Sequence, residues 1–434
     1  MQVVVLGCGP SGMLAAAACA EAGLDVAVVA PNLDTPWPNR YGVYVDELAP
    51  LGLDHVLAER WNAPIVALDA ALSGPRAHVL QRPYARVDGE ALRADCWRRL
   101  RVAGGRGVAA EVVAIGAAGD PVEALAGTVH TAARCRLADG RVLSAWVIVD
   151  ARGAAGCGAG PRGRVDAWQV AWGEEIEVEG EGAASLTDGP MVLMDWSPPD
   201  RATQAAWAQQ PSFLYAQPLG RGRAFVEETV LSARQPLALE VLRDRLARRL
   251  ARRGVRVRVV TDVERCRLPM LMRPAAVEPG VLAWGARAGA IHPATGYMLA
   301  EVATRAPELA ASLRASADAG LSSCEAAIAV YARMQPPSRA RQEALLRFGG
   351  ELLVDLDGPT IVRFFDAFFA LPAERTAALL SRRGGVPALS ATMARVFWAA
   401  PASIRQHLGR AGWQARGTLL PALVGGSLPP QESP

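Results

Sequence analysis

The 434-residue chain contains no lysine, and all 46 of its basic residues are arginine. Chemistry that needs an amine side chain, such as Schiff-base formation, is therefore excluded, and acid–base work falls to carboxylates. The chain has 43 acidic residues and a net charge of only +3, without a block of basic residues long enough to indicate a nucleic-acid groove. Nucleic acid is therefore not a predicted partner.

Cysteine is also scarce: the chain has seven, with no C-x-x-C pair and no spacing typical of a metal site. We therefore predict a reduced, cytoplasmic protein without a metal centre. No apolar run approaches the roughly 18 residues that cross a bilayer, and the N-terminus does not resemble a signal peptide. The length of 434 residues and the 51% of hydrophobic residues predict a folded protein of two or three domains. Without a spanning segment, its contact with a membrane is expected to be peripheral only.

The first 30 residues have the pattern of a nucleotide-binding βαβ unit. A β-branched strand over residues 2–6 runs into the sequence GCGPSG, an apolar helix ends at Gly23, and a second strand covers residues 25–30. The first glycine of the motif makes the tight turn, the second lets the backbone approach a pyrophosphate, and the third allows close helix–strand packing. The turn residues predicted to bind the cofactor are Gly7, Gly9, Pro10, Ser11 and Gly12.

One element of this motif is missing. The acidic residue that accepts the ribose hydroxyls is expected near the end of the second strand, where Ala30 stands. The nearest acid is Asp34, beyond a proline. Either Asp34 or a backbone group is expected to bind the ribose, or affinity is reduced.

Two later segments favour FAD over NAD. A strand over residues 145–149 ends in DARG, which resembles the D-A-T-G turn of FAD proteins of the glutathione-reductase type. Another apolar strand, at 281–286, opens into a glycine-rich turn. A strand that returns after a long insertion to bring a second turn to the ligand fits the long reach of FAD. These segments add the predicted cofactor residues Asp150, Ala151, Gly153, Gly285, Gly289, His292 and Pro293.

Taken together, the sequence resembles lycopene β-cyclases of the plant and cyanobacterial type. The resemblance adds Arg86 and Gly296 to the expected cofactor residues, and this chain departs from the family pattern at Ala30, at Arg152 and over residues 286–288. The matching segments run in order along nearly the whole chain: GCGPSG at 7–12, WPNRYGVYVDE at 37–47, RPYARVD at 82–88, WQVAWG at 168–173, MDW at 194–196, FLYA at 213–216, FVEET at 225–229, IHPATGYM at 291–298 and FFDAFF at 364–369.

The resemblance implies an α/β fold: a glutathione-reductase/hydroxylase-like FAD-binding Rossmann domain with an inserted mixed-sheet substrate domain and a C-terminal helical region. The FAD-binding domain is expected in two parts, residues 1–159 and 275–320, on either side of a substrate domain at 160–274. The helical region would cover residues 321–425, and 426–434 would form a disordered tail.

The resemblance also implies a reaction without net redox change. A carboxylic acid protonates a terminal alkene of lycopene, and a β-ionone ring closes through a carbocation, with FAD in its reduced form and NADPH or NADH as the reductant. The strand that carries FVEET sends its two glutamates to opposite faces, and a carboxyl that faces an apolar pocket has a raised pKa. The resemblance favours Glu227 as the acid and Glu228 second; without it, one such glutamate is usually solvated and the other paired with arginine.

Aromatic faces are the expected stabilisers of the carbocation, although buried tryptophan is more often simply core. His292 is expected to pack the turn under the flavin rather than to take a proton. Asp46 and Glu47 either form a proton relay or cap the helix that follows, and capping is favoured. The candidate substrate residues are Trp168, Trp172, Trp196 and Tyr215.

Four of the eight phenylalanines fall within residues 364–369, either as core or as the mouth through which a membrane-dissolved substrate enters. Three other functions stay open because fold does not fix function: a flavin monooxygenase that uses NADPH, a non-catalytic carotenoid-binding protein, and a cyclase of another prenylated or terpenoid compound. The number and type of rings and the oligomeric state are also open.

Overall fold

The fold was analysed in a computed structural model. The predicted tail at 426–434 and both predicted ends of the substrate domain, at 159/160 and 274/275, lie outside the described residues, whereas the predicted junction at 320/321 falls between α7 (Leu299–Asp318) and α8 (Ser323–Met334). The structure describes residues 1–69, 76–116, 132–153, 165–272, 278–354 and 356–424.

A five-stranded parallel sheet carries the N-terminal βαβ unit. In spatial order its strands are β18 (Val281–Ala283), β12 (Val147–Asp150), β1 (Val3–Leu6), β2 (Val26–Ala30) and β8 (Arg106–Ala109). Strands β1 and β2 are buried along their whole length, because helices cover one face of the sheet and a small antiparallel sheet covers the other. The helices packed on this sheet are α1 (Pro10–Glu21), α3 (Gly89–Val102) and α7 (Leu299–Asp318).

Two small antiparallel sheets flank the parallel one. The first consists of β3 (Tyr41–Tyr44), β7 (Tyr84–Val87) and β4 (Leu57–Trp61), in that order. The second consists of β11 (Val142–Ala145), β10 (Ala133–Leu137) and β9 (Val112–Gly116).

A seven-stranded sheet forms the second large layer, antiparallel except between β14 and β5. Its spatial order is β17 (Arg256–Met270), β13 (Ala167–Glu179), β16 (Arg223–Ala233), β15 (Phe213–Gly220), β14 (Val192–Asp195), β5 (Ile65–Ala67) and β6 (Ala77–Val79). One face packs against α6 (Leu239–Arg252), which buries Leu242, Leu246 and Leu250 at four-residue spacing. The opposite face lines a large cavity. The predicted α/β class with a mixed second sheet is confirmed.

The C-terminal part is helical, and most of its helices close the cavity over the sheet. Short helices α2 (Val45–Leu48), α4 (Ala184–Thr187) and α5 (Gln204–Gln209) connect the earlier elements. No helix in the described part of the chain is long and apolar enough to cross a bilayer. The C-terminal helices are α8 (Ser323–Met334), α9 (Pro337–Leu353), α10 (Gly358–Phe369), α11 (Ala373–Leu380), α12 (Gly385–Ala399), α13 (Ala402–Gln414) and α14 (Arg416–Val424).

Candidate active site

The turn between β1 and α1 has the shape that a dinucleotide phosphate needs. Gly7 has a φ of +99°, and a Cβ there would lie 2.8 Å from the carbonyl oxygen of Ala151. A Cβ on Gly12 would lie 2.0 Å from the carbonyl oxygen of Gly7, so this position also requires glycine. At Gly9, by contrast, a Cβ would have no described atom within 4 Å, and no side chain caps the helix that begins at Pro10. The open space in front of a helix N-terminus suits an anion.

The second predicted turn meets the first one in space. Gly285 has a φ of +62°, and a Cβ there would touch the Ser11 side chain at 2.6 Å. The indole of Trp284 donates a hydrogen bond to the Ser11 carbonyl oxygen at 2.9 Å. Gly289, also left-handed at φ +72°, ends this turn. Residues 273 positions apart in sequence therefore enclose one site, as FAD binding requires.

Two arginines, Arg152 and Arg287, lie beside this turn. Both stand at positions where the sequence departs from the family pattern. Asp150 is buried and accepts hydrogen bonds from Arg152 at 2.9 Å, and Arg287 Nε lies 2.9 Å from its carboxylate. Arg287 is itself buried, and its Nη1 has no hydrogen-bond partner among the described residues. The two guanidiniums place positive charge beside the turn, which is the sign that a pyrophosphate needs.

Beyond the nucleotide turn, a cavity of about 640 Å³ extends between the seven-stranded sheet and the C-terminal helices. It begins at Pro10 and reaches Leu423 of α14. Along β16 every second residue from Phe225 to Leu231 lines it, as the two-residue period of a strand dictates. The volume is typical of a small-molecule site.

Glu227 is a carboxyl on this apolar wall. Thr229 donates a hydrogen bond to it at 2.5 Å. Burial raises the pKa of Glu227 above its ordinary value, and the hydroxyl of Thr229 and the charge of Arg40 oppose the rise only in part. Burial therefore favours the protonated form of this carboxyl, which faces the cavity.

A second carboxyl on the same wall, Glu264 of β17, was missed by sequence reasoning. Burial raises the pKa of Glu264, and the mutual repulsion of the Glu264 and Glu227 carboxylates raises it further, to about 8. The backbone amide of Arg40 donates to its carboxylate at 3.2 Å. The signal that could have found it is the alternation of Glu264, Cys266 and Leu268, which all line the cavity.

Glu228 lies on the opposite face of β16, and its candidacy as an acid is corrected. The carboxylate is fully buried and accepts two hydrogen bonds from Arg249 of α6, at 2.8 and 2.9 Å, and one from Ser212 at 2.7 Å. A carboxylate bonded in this way holds α6 on the sheet. It does not line the cavity.

Of the four aromatic candidates, Tyr215 alone lines the cavity. Trp172 packs among the side chains under α6, with Arg265 over its ring at 5.0 Å, and Trp168 lies on that same face under Arg267. Trp196 is buried behind the wall, stacked on Phe365 at 5.3 Å between ring centroids. The substrate role of these three tryptophans is therefore corrected. All four phenylalanines of residues 364–369 line the cavity.

Three further tyrosines that the sequence did not indicate extend the aromatic wall from Tyr215. Tyr84 has ring contacts with Tyr44 at 5.2 Å, Tyr297 at 6.3 Å and Tyr215 at 6.5 Å. All four line the cavity, and burial raises the pKa of each phenol. They face the cavity as neutral rings.

The remaining predicted cofactor residues shape the site rather than supply protons. Burial and Arg382 lower the pKa of His292 to about 3, and its neutral ring accepts from the Ala294 amide through Nδ1 and donates through Nε2 to the Leu379 carbonyl oxygen. The carbonyl of Pro293 lies against α9, and Gly296, at φ +79°, packs so closely on Gln169 that a Cβ would lie 2.5 Å from that side chain.

Three other charged residues are already paired. Glu47 accepts a hydrogen bond from the Tyr44 amide and so caps α2, which is the favoured reading of this segment, and Asp46 pairs with Arg82. Arg86 pairs with Glu175 at 3.3 Å and is not among the described residues that line the cavity, so no contact supports its cofactor role. Ala151 and Gly153 flank Arg152 in the turn after β12.

Comparison with known families and proteins gives one consistent result. The family model described as lycopene cyclase protein matches residues 2–406. Lycopene beta cyclase of Nicotiana tabacum is 31% identical over 398 residues, covering 90% of this chain and 76% of that protein. The enzyme of the same name from Synechococcus elongatus is 32% identical over 412 residues, covering 94% and 95%.

Solved structures with the same fold are far less similar in sequence. A geranylgeranyl bacteriochlorophyll reductase-like protein from Thermoplasma acidophilum has a TM-score of 0.62 at 15% identity, covering 91% of this chain and 98% of that one. The halogenase PltM in complex with phloroglucinol and FAD has a TM-score of 0.57 at 13% identity, covering 96% and 95%. These likenesses confirm the predicted fold of FAD-dependent enzymes.

Proposed function

The chain belongs to the lycopene cyclase protein family, and on that premise we propose that it closes a β-ionone ring at an end of lycopene by acid catalysis, with Glu227 as the proton donor. The observation that carries this proposal is a buried carboxyl with a raised pKa on the wall of an apolar cavity that begins at the nucleotide turn. A resting acid of this kind is what protonation of an alkene at neutral pH requires.

The proposed reaction conserves all atoms. The proton of Glu227 adds to one carbon of the terminal double bond and leaves a tertiary carbocation on the other. The neighbouring double bond attacks that cation and closes a six-membered ring, and loss of a different proton forms the ring alkene. The product is an isomer of the substrate, so no oxidant or reductant is consumed.

The cavity wall supports such a cation without trapping it. The rings of Tyr215 and Phe225 flank Glu227, and aromatic faces attract cations. The phenols are neutral, so they do not form a stable ion pair with the intermediate. The phenylalanines of α10 continue the apolar wall, which keeps water from the cation.

FAD fits the two turns that meet at Ser11, and the residues that would hold it are the glycines of residues 7–12, the turn from Gly285 and the charged group of Asp150, Arg152 and Arg287. Bound in its reduced form, with NADPH or NADH as the reductant, FAD would supply negative charge close to the developing cation. The contribution of the chain is to leave Gly9 open to the pyrophosphate and to place the guanidiniums of Arg152 and Arg287 in the turns that would hold it.

Expression in a lycopene-accumulating host tests the proposal. We expect a product with the mass of lycopene and the absorption spectrum of a cyclised carotenoid, formed with only catalytic amounts of reductant. Unchanged lycopene would contradict the function. A product that has gained oxygen, with stoichiometric consumption of NADPH, would instead identify a monooxygenase.

We also propose that the C-terminal helices bring the cavity to a membrane surface, on the cytoplasmic side. Of the eleven tryptophans, all of which the structure describes, only Trp398 and Trp413 are exposed, at 72% and 70%. Their neighbours Phe397 and Gly412 line the cavity, as does Leu423, which is itself 46% exposed. Tryptophan at an apolar opening is typical of contact with a bilayer interface.

Charge supports an anionic surface in particular. Residues 375–424 contain seven arginines and no acidic residue, although the whole chain has a net charge of only +3. Five of the seven remain after Arg382 and Arg383, which pair with Glu343 and Asp46. Basic residues near an anionic bilayer contribute about 1 kcal/mol each. We therefore expect the open end of the cavity to lie against anionic lipid, from which an apolar polyene can enter.

Vesicle flotation tests this contact. The double variant Trp398→Ser/Trp413→Ser is expected to bind phosphatidylglycerol vesicles at least about tenfold more weakly, since two interfacial side chains are lost. The matched control is Ile328→Ser/Tyr331→Ser on α8, which removes two other exposed apolar side chains and is expected to bind normally. Equal binding by both double variants would contradict the proposed face.

A further inference from the structure

A second carboxyl stands next to Glu227 on the cavity wall. Glu227 of β16 pairs in register with Gly173 of β13, and the other edge of Gly173 pairs with Glu264 of β17. Residues opposite each other on neighbouring strands point to the same face of the sheet. Both carboxyls accordingly line the cavity, one strand apart.

Gly173 is what lets the two side chains approach each other. It has no side chain, and a Cβ at this position would lie 3.5 Å from Cγ of Glu227 and 2.7 Å from the ring of Phe225. The Glu227 side chain therefore leans over the glycine, toward the strand that carries Glu264. Any larger residue at position 173 would stand between the two carboxyls.

The surroundings of the two carboxyls differ in charge. Glu264 accepts from the backbone amide of Arg40 at 3.2 Å and has its guanidinium at 3.6 Å. Glu227 accepts only the neutral hydroxyl of Thr229 among the hydrogen bonds of the described residues. A negative charge is therefore more stable on Glu264 than on Glu227.

We propose that Glu264 is a positioning residue for the acid: the pair gives up its first proton from Glu264, where Arg40 stabilises the charge, and that charge then holds the second proton on Glu227. The inference rests on the proposed role of Glu227 and deepens it. Two close carboxyls in one apolar site cannot both ionise readily. Glu264 thus keeps the acid loaded at a pH at which an isolated buried glutamate would lose its proton.

The other groups that face the pair are consistent with this division. Burial raises the pKa of Tyr41, Tyr215 and Cys266. Glu264 raises the pKa of all three further and Glu227 that of Tyr215 and Cys266, so all three stay neutral. Arg40 is the cation that faces the carboxyls among the described residues, and it also pairs with Glu175 and Asp262. Arg86, the next cation, is paired with Glu175.

The pH profile of cyclisation tests the inference. Glu264→Gln is expected to remain active near pH 6 but to lose activity at a pH lower by about one unit or more than the wild-type protein, because Glu227 no longer has a negative neighbour. The matched control is Glu175→Gln, which removes a different carboxylate partner of Arg40 away from the cavity wall and is expected to leave the alkaline limb unmoved. Thermal unfolding and the flavin absorption spectrum establish that each variant is folded.

An identical alkaline limb in Glu264→Gln and the wild-type protein would overturn the inference. Loss of all activity in folded Glu264→Gln, at every pH, would overturn it as well, because Glu264 would then act on the substrate itself.

A measurement without turnover separates this inference from the proposed function. A protonated carboxyl gives an infrared band, and the band that is present in the wild-type protein but missing in Glu227→Gln belongs to Glu227. The intensity of this band can be measured as a function of pH. We expect the band to disappear at lower pH in Glu264→Gln than in the wild-type protein, and an equal titration would overturn the inference. If the wild-type protein left lycopene unchanged, the proposed function would fail while this titration still decides how the two carboxyls interact.

Discussion

Glu227 and Glu228 are neighbours on β16, yet they occupy the two faces of one sheet and opposite environments. Glu227 faces an apolar cavity with a neutral hydroxyl as its hydrogen-bond partner. Glu228 faces α6, where it forms a fully buried ion pair with Arg249. On one face the surroundings favour the protonated form of the side chain, and on the other the side chain is bound by an arginine.

The difference lies in what the neighbouring layer supplies. Helix α6 carries arginines at positions 245 and 249 that point at the sheet, and Arg249 also approaches Asp195, at 3.7 Å. The C-terminal helices opposite the cavity face present leucine, methionine and phenylalanine instead. Desolvation favours the protonated form of a carboxyl, whereas a bidentate arginine favours the charged form. One face is thus suited to acid catalysis and the other to structure.

The largest expected effect comes from Glu227→Gln. Glutamine keeps the shape of the side chain but has no acidic proton, so turnover of lycopene is expected to fall by at least about 10³-fold. Product formation per folded protein in a lycopene-accumulating host measures it. The melting temperature should not decrease, because a neutral amide replaces a carboxyl whose neutral form burial already favours. Retention of full activity would remove Glu227 from the mechanism.

Glu228→Gln is expected to destabilise the packing of α6 on the opposite face of the sheet. Removing one partner of a buried ion pair leaves Arg249 with an uncompensated charge, and the free energy of unfolding should fall by about 3–5 kcal/mol. Urea denaturation measures the change. The control is Glu177→Gln. Glu177 is a partly exposed residue of β13 that pairs with Arg258, and its replacement should lower the free energy of unfolding by less than about 1 kcal/mol. If Glu228→Gln lost turnover but not stability, the assignment of the two faces would be reversed.

The sequence predicted the parts of this arrangement that depend on local pattern. The glycine turn at residues 7–12 follows from spacing within one βαβ unit, and the opposite orientation of Glu227 and Glu228 follows from the two-residue period of a strand. Which face is the cavity does not follow from that period. The family resemblance, and not the residues alone, favoured Glu227.

The parts that the sequence did not predict depend on strand register and on contacts between distant segments. Trp172 precedes Gly173 on β13. Because Gly173 pairs with Glu227 on the cavity face, the side chain of Trp172 lies on the opposite face, with Glu228. Glu264 is 37 positions from Glu227 and becomes its neighbour only through β13. The tyrosine wall likewise joins residues from β3, β7, β15 and the turn before α7.

Aromatic residues on the two faces give a smaller contrast. Tyr215→Leu removes a ring from the cavity wall next to Glu227 and is expected to lower kcat by about tenfold, within the range of a cation–π interaction. Trp172→Leu, under α6, is expected to lower the free energy of unfolding while kcat stays within about twofold of the wild-type value. Steady-state kinetics with lycopene in vesicles separates kcat from KM. A loss of kcat in Trp172→Leu alone would contradict the placement of the substrate.

The smallest expected effect is the pH dependence of the free energy of unfolding that results from Glu264 on the cavity face. Burial raises the pKa of Glu264 from 4.5 to about 8, so between these values the unfolded chain loses a proton that the folded protein keeps. Stability from this group is complete below pH 4.5 and is lost progressively as the pH rises toward 8, by about 1 kcal/mol for each pH unit. Urea denaturation should therefore show that the free energy of unfolding decreases less between pH 6 and pH 7 in Glu264→Gln than in the wild-type protein. Glu175→Gln, which leaves both cavity carboxyls in place, should keep the wild-type slope. Equal slopes in wild type and Glu264→Gln would mean that Glu264 is charged in the folded protein, and the cavity face would then resemble the face under α6 instead of contrasting with it.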